Sequence, residues 1–270
     1  MKTVFFLYIF LIISFSVTSQ RTHLTTFTGF SNYNGELQSK PYTFKNAHAV
    51  FGIGLEYELT NKIFLRTGLS YGTISGKDSG TINYKRNLNF TTKITEFQVG
   101  IEYNFLNLKN KDITPYLFGG IAVFHFNPYT KSVAGQKVYL QPLGTEGQGY
   151  LKGRDKYALT QFSIPLGAGV KYALSDYIRI GAEVGLRKTF TDYLDDVSTY
   201  YINKNELLLN NGAQAVEFAF RGDETVNRLS YPAEGKKRGN PASNDWYYFT
   251  GLTISFRLGD LEKNGYSSRF

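Results

Sequence analysis

Five stretches of this chain alternate, residue by residue, between an apolar face and a face that mixes glycine with charge. In 47–59, Phe51, Ile53, Leu55 and Tyr57 alternate with Gly52, Gly54, Glu56 and Glu58. In 95–105, Phe97, Val99, Ile101 and Tyr103 alternate with Glu96, Gln98, Gly100 and Glu102. Stretches 162–174, 178–190 and 246–258 repeat the pattern and put Lys171, Arg179, Glu183, Arg187 and Arg257 on the glycine-bearing side. Period two over a dozen residues is the signature of a strand with two unlike faces. Here the distribution is inverted for a soluble protein: the continuous face is the apolar one and the charges share theirs with glycines. A strand in a lipid-embedded barrel looks like this, apolar outward and polar inward. A soluble barrel with rings inward would explain neither the glycines among the charges nor the rings gathered near strand ends.

Three weaker segments complete a set of eight strands: 23–31, 63–75 (which adds Arg66 to the polar face) and 116–126. The last has two apolar faces; its ring-bearing side, Tyr116, Phe118, Phe124 and Phe126, is expected to face lipid. Pro165 interrupts a strand and cannot donate to a ladder, so a bulge is expected there. The connections alternate, short at 60–62 and 175–177, long at 127–156 and 191–245. All long loops then leave from one end, the layout of an eight-stranded antiparallel transmembrane β-barrel with short periplasmic turns and long extracellular loops. Tyr57, Tyr103, Tyr116, Tyr172 and Phe256 would form the girdle at the short-turn end, and Tyr71, Phe126, Trp246 and Tyr248 the one at the other. Eight strands enclose only enough room for side chains. The charges Glu56, Arg66, Glu96, Glu102, Lys171, Arg179, Glu183, Arg187 and Arg257 are therefore expected to form a structural network in the lumen, each paired because an unpaired buried charge is costly.

The first twenty residues, MKTVFFLYIFLIISFSVTSQ, read as a cleaved secretory signal peptide: one lysine, an apolar run too short to span a bilayer, and small residues near Ser19. The expected organisation is a signal peptide (1–19), an outer-membrane barrel (20–258) and a periplasmic tail (259–270). The chain holds no cysteine, which excludes disulfides and a lipidated cysteine. Its formal charge of +8 suits anionic surroundings, and outer-membrane lipids and lipopolysaccharide are the expected environment. No nucleic acid is expected as a partner.

Little chemistry is signalled. The three histidines, His23, His48 and His125, have no companions at metal-helix spacing. His125, near the outer end of its strand, is the one candidate for a rim enzyme acting on lipid, and no serine motif accompanies it. "LGTEGQG" lacks the Lys-Ser/Thr ending of a phosphate loop. The run "RKTFTDYLDDVSTYY" (187–201) carries Asp192, Asp195 and Asp196 without the alternating oxygens and central glycine of an EF-hand. Those aspartates are expected to cap a short helix at a loop corner, with a loose external calcium site as the alternative. No catalytic, cofactor or metal residue is expected.

Several segments resemble a known family. "LSYGTISG" (69–76), "ITPYLFGGIAVFHFNP" (113–128), "LQPLGTEGQG" (140–149), "QFSIPLGAGVKYALS" (161–175), "RKTFTDYLDDVSTYY" and "DWYYFTGLTISF" (245–256) are similar, in order and over nearly the whole mature chain, to Bacteroidota outer-membrane barrels that include PorG of the type IX secretion system. "PLGTEGQG" and "RKTFTDYLDDVS" are the specific markers. The resemblance implies a non-enzymatic accessory or anchor of protein export and gliding that contacts a periplasmic ring lipoprotein of the PorK or GldK kind. Such contacts would use the short-turn face, above all "NLKNKDIT" (107–114) with Asn107, Lys109, Lys111 and Asp112. The alternative readings are a narrow channel or a loop-based receptor, and, further off, the rim enzyme.

Overall fold

A computed structural model describes residues 21–38, 40 and 42–259. The expected signal peptide, and the expected tail beyond Gly259, lie outside the described residues. Eight long strands form the wall: β1 (Thr22–Asn34), β2 (His48–Glu58), β3 (Ile63–Lys77), β4 (Asn89–Asn104), β5 (Ile113–His125), β8 (Thr160–Ala173), β9 (Ile178–Thr189) and β10 (Trp246–Leu258). Each pairs antiparallel with the next, β10 returns to β1, and the sheet closes on itself with no free edge among the wall strands. A small hairpin, β6 (Tyr129–Lys131) and β7 (Lys137–Tyr139), hangs on the outer end of β4 through Thr91 and Tyr129. Two short helices, α1 (Lys204–Asn211) and α2 (Ala213–Ala219), lie in the longest loop.

The barrel is inside out. Ile121, Phe162 and Phe51 are 67%, 65% and 60% exposed on its outer surface, whereas Glu96, Glu102 and Lys171 are at most 1% exposed inside. An apolar band encircling a closed barrel is stable only against hydrocarbon, where the ladder also satisfies every backbone group. This is a membrane-spanning barrel of the outer-membrane type. Among the described residues no helix is long and apolar enough to cross a membrane; the strands do the crossing. The short connections, 59–62, 105–112 and 174–177, lie at one end, and the long ones, 35–47, 78–88, 126–159 and 190–245, at the other.

Three local expectations are overturned. No bulge forms at Pro165. The register between β8 and β9 is unbroken through Pro165 and Arg187, and β5 resumes the same register on both sides of a gap opposite the proline, at Gly120 and Ile121. The missing N–H is absorbed by dropping ladder contacts rather than by adding a residue.

The phase of β5 is reversed. Tyr116, Phe118 and Phe124 point into the lumen, and Leu117, Ile121 and Val123 face lipid. Phe126, beyond the strand end, is likewise buried, so neither Tyr116 nor Phe126 belongs to a girdle. The reason lies on the next strand: a Cβ at Gly167 would stand 2.4 Å from the Phe118 ring, and one at Gly169 2.4 Å from the Tyr116 ring. The inner-face glycines of β8 are sockets for the rings of β5.

Finally, the short helix expected after Asp192 does not form. Residues 191–199 make turns and bends, with Asp196 in the left-handed region at φ 66°. In place of a helix cap, the Asp195 carboxylate accepts the Val197 N–H at 2.9 Å, a side-chain turn that competes with helix.

Candidate functional site

Two sets of polar side chains are built by this fold, one in the lumen and one beyond its outer mouth. In the lumen, Lys171 from β8 lies between Glu56 of β2 (2.9 Å) and Glu102 of β4 (2.6 Å). Arg66 of β3 reaches Glu183 of β9 at 2.9 Å and Glu102 at 3.4 Å, its guanidinium resting 4.4 Å over the Phe118 ring. Tyr116 donates its hydroxyl to Glu183 at 2.9 Å. Nearer the mouth, Arg187 crosses from β9 to Glu96 of β4 at 3.3 Å, and Tyr247 donates to the same carboxylate at 2.6 Å. Against the expectation that each lumen charge is paired, Arg179 is buried with its guanidinium 5.4 Å over the Phe64 ring, its Nη1 without a hydrogen-bond partner and no ion pair to it among the described residues; Arg257 is half-buried. A lumen cavity of about 30 Å³ touches Thr25, Glu56, Arg66, Gln98 and Thr253, room for about two ordered waters. The interior is a filled, ion-paired core.

The outer loops fold over the mouth as a packed lid. Its apolar core joins strand ends to loops: Tyr33, Phe90, Phe126, Tyr157, Leu194, Val197 and Phe218 belong to one buried cluster. Two polar hubs organise it. Glu146, in the 126–159 loop, accepts the backbone N–H of Ser198 (2.9 Å) and Thr199 (3.0 Å), the Thr199 hydroxyl (2.7 Å) and Arg238 (2.8 Å). Asp196 accepts the hydroxyls of Thr145 (2.6 Å) and Tyr157 (2.7 Å) and lies 3.7 Å from Arg238. "PLGTEGQG" and "RKTFTDYLDDVS" thus bind one another, with Arg238 as the cation between them. Arg86 grips Asp78 through two hydrogen bonds of 2.8 and 2.6 Å and also donates to the Arg238 carbonyl, tying the 78–88 loop to the same hub. Burial pushes Asp196 up to about 6 despite Arg238.

Next to these hubs lies a second acidic group, with no Lys or Arg paired to it among the ion pairs of the described residues. Carboxylate oxygens of Glu36, Asp192 and Asp245 lie within 4.8 Å of one another. Asp245, the residue before β10, accepts the Leu194 N–H at 2.9 Å and the Tyr33 hydroxyl at 3.1 Å; that hydroxyl also lies 2.6 Å from Asp195. Burial pushes Asp192 up to about 9 and Glu36 up to about 6, and it raises Asp195 and Asp245 well above the usual carboxylate range. Asp192, expected to cap a helix, caps nothing. Sequence reasoning missed Glu36, Glu146, Arg238 and Asp245. Glu146 stood inside a marker motif and Asp245 at the edge of an alternating strand, but nothing local connects either to the aspartates of 192–196.

At the short-turn end, the Asn107 side chain accepts the Lys109 N–H at 2.9 Å and closes its turn, and Lys109 reaches back to Glu58 at 3.4 Å. Lys111 and Asp112 are exposed. His125 faces outward with its ring 3.0 Å from the Thr160 hydroxyl, and His48 lies 2.7 Å from Ser75. Among the described residues neither histidine is hydrogen-bonded to a carboxylate, so neither forms the nucleophile–base–orienter arrangement of a hydrolase.

A family model described as a domain of unknown function, DUF6089, matches residues 2–222. The chain belongs to that family. Comparison with curated proteins found no match. Among solved structures, the chain is similar to Neisserial surface protein A at 10% identity and TM-score 0.44, covering 87% of this chain and 96% of that one. It is similar to the attachment invasion locus protein Ail of Yersinia pestis at 10% identity and TM-score 0.40, covering 87% and 96%. The outer membrane protein OprG of Pseudomonas aeruginosa is similar at 9% identity and TM-score 0.41, covering 88% and 97%.

Proposed function

We propose that this DUF6089 barrel is a non-enzymatic, non-conducting outer-membrane anchor that serves as an accessory of type IX protein secretion and contacts a periplasmic ring lipoprotein of the PorK or GldK kind. The observation that carries the anchor reading is the filled lumen, in which Lys171 joins Glu56 to Glu102 and Glu96 holds both Arg187 and the Tyr247 hydroxyl. A pore would need those charges hydrated rather than locked to each other. The secretion reading rests on the sequence resemblance, whose two most specific segments meet in the lid. Partner contacts are assigned to the short-turn face, with the exposed Lys111 and Asp112 as the first residues to test.

Affinity capture of the native protein from membranes should recover the ring lipoprotein, and reversing charge at Lys111→Glu with Asp112→Lys should weaken that recovery several-fold while the barrel still migrates as a heat-modifiable band. Normal cargo secretion after clean deletion of the gene would refute the secretion reading and leave the anchor reading standing. Steady conductance of the purified protein in planar bilayers would refute the closed lumen. A receptor role for the outer loops is the second reading, favoured by their folding into a single packed lid; a ligand recovered on the lid surface, with secretion unaffected by deletion, would select it.

A further inference from the structure

Glu36, Asp192 and Asp245 come from the first outer connection, the root of the longest loop and the residue that re-enters the barrel. The fold brings their carboxylates together and supplies no Lys or Arg among the ion pairs of the described residues to answer them. Asp192 is only 6% exposed, and neither of its oxygens has a hydrogen-bond partner; Ser198 lies close enough to influence it but not in hydrogen-bonding geometry. Glu36 Oε2 is likewise unpartnered, while its Oε1 accepts the Asn240 N–H at 2.9 Å. Unsatisfied buried carboxylate oxygens are expensive, and the cost is relieved either by a proton or by a cation.

The backbone is shaped to permit the convergence. A Cβ on Gly35 would lie 1.9 Å from Asp245 Oδ1 and 2.0 Å from the Tyr33 hydroxyl oxygen, so the glycine lets the Asp245 carboxylate and the Tyr33 hydroxyl pack directly against the first loop beside Glu36. We propose that this corner is a binding site for one divalent cation of calcium's size, held by Glu36 Oε2, the Asp192 carboxylate and an oxygen of Asp245, and that the ion staples the first outer loop to the root of the longest one.

The donor set is all oxygen, which selects a hard cation and disfavours zinc or copper. Oxygens within 4.8 Å of one another can share one ion with bonds of about 2.4 Å, calcium's range, whereas magnesium demands near-ideal octahedral geometry and dehydrates reluctantly, so three carboxylates from three separate segments favour calcium. Asp195 lies nearby, but its own oxygens hold the Tyr33 hydroxyl and the Val197 N–H. The remaining coordination positions would be filled by water, as in external calcium modules, whose dissociation constants lie at about 10⁻⁴–10⁻³ M.

The test uses the purified full-length barrel in detergent micelles, stripped with EGTA and titrated with CaCl₂ by calorimetry. One calcium per chain is expected, with magnesium at least tenfold weaker. Asp192→Asn should weaken calcium binding at least tenfold, whereas Asp223→Asn, an exposed acid elsewhere in the lid, should leave it unchanged. Calcium should also slow protease cleavage within 190–245 at least tenfold in the wild type and not in Asp192→Asn. Terbium luminescence sensitised by Tyr33 offers a readout on the wild type alone should the variant fail to fold. Absence of calcium binding below about 10 mM, equal binding of magnesium, or equal losses in the two variants would each overturn the proposal.

Discussion

The lumen and the outer acidic corner both bury carboxylates, Glu36 of the corner only partly, and treat them in opposite ways. In the lumen Glu56 and Glu102 share Lys171, Glu183 holds Arg66, and Glu96 holds Arg187, each pair bridging strands distant in sequence. At the corner, Glu36, Asp192 and Asp245 face one another with no ion pair to a base among the described residues, while Arg238 and Arg86 are committed to Glu146, Asp196 and Asp78. A barrel interior is sealed by its own walls, so its carboxylates must find their bases inside it if they are to be buried as charges. A site at the mouth can draw its counter-charge from outside. The contrast separates a region that is a finished core from one whose electrostatics are completed by a ligand.

The largest effect is expected where balance is broken in the lumen. Lys171→Met leaves Glu56 and Glu102 confronting each other and should cost about 4 kcal/mol of barrel stability, read as a shifted urea midpoint in micelles. A loss below about 1 kcal/mol would mean that the lumen carboxylates are as tolerant as those of the corner, and the comparison would fail.

Arg238→Ala should cost about 3 kcal/mol, but of lid rather than barrel stability. Protease cleavage within 126–159 and 190–245 should accelerate while heat-modifiable migration persists. Loss of the folded band as well would show that lid and barrel are one cooperative unit. Tyr116→Phe removes one hydrogen bond from Glu183, which keeps Arg66; about 1 kcal/mol is expected, and a much larger loss would show that the network is strongly cooperative.

The smallest effect is one of pH. Burial raises Asp196 from 3.8 to about 6. A carboxyl whose pKa is raised by folding favours the folded state in its neutral form. That contribution is complete below pH 3.8 and is lost as the pH rises through about 6. Lid protection, measured by hydrogen exchange in EGTA to exclude divalent ions, should therefore decline modestly between about pH 4 and 6, and Asp196→Asn should flatten that slope. An increase in protection over the same window would mean that the Arg238 contact outweighs burial.

Much of the barrel is legible in the sequence because alternation is a property of a single strand. Glu56 beside Leu55 and Tyr57, or Arg187 beside Leu186, states which side is wet without reference to any other strand. β5 defeats that reasoning: both its faces are apolar, and which one turns inward is decided by the empty sockets of Gly167 and Gly169 on its neighbour. The proline expected to make a bulge instead drops ladder contacts, since β9 on its other side holds the register.

The sequence by itself determined an inside-out, closed barrel with its long loops at one end, because residue type and period two act locally and most of the strands repeat the message. Tertiary structure alone decided that Arg187 meets Glu96 rather than Glu183, that Glu146 joins the two marker segments through Asp196 and Arg238, and that Glu36, Asp192 and Asp245 converge. Those meetings depend on the register with which the sheet closes and on the path of loops across its mouth. Electrostatic balance depends on distance in space, which alternation along one strand does not encode.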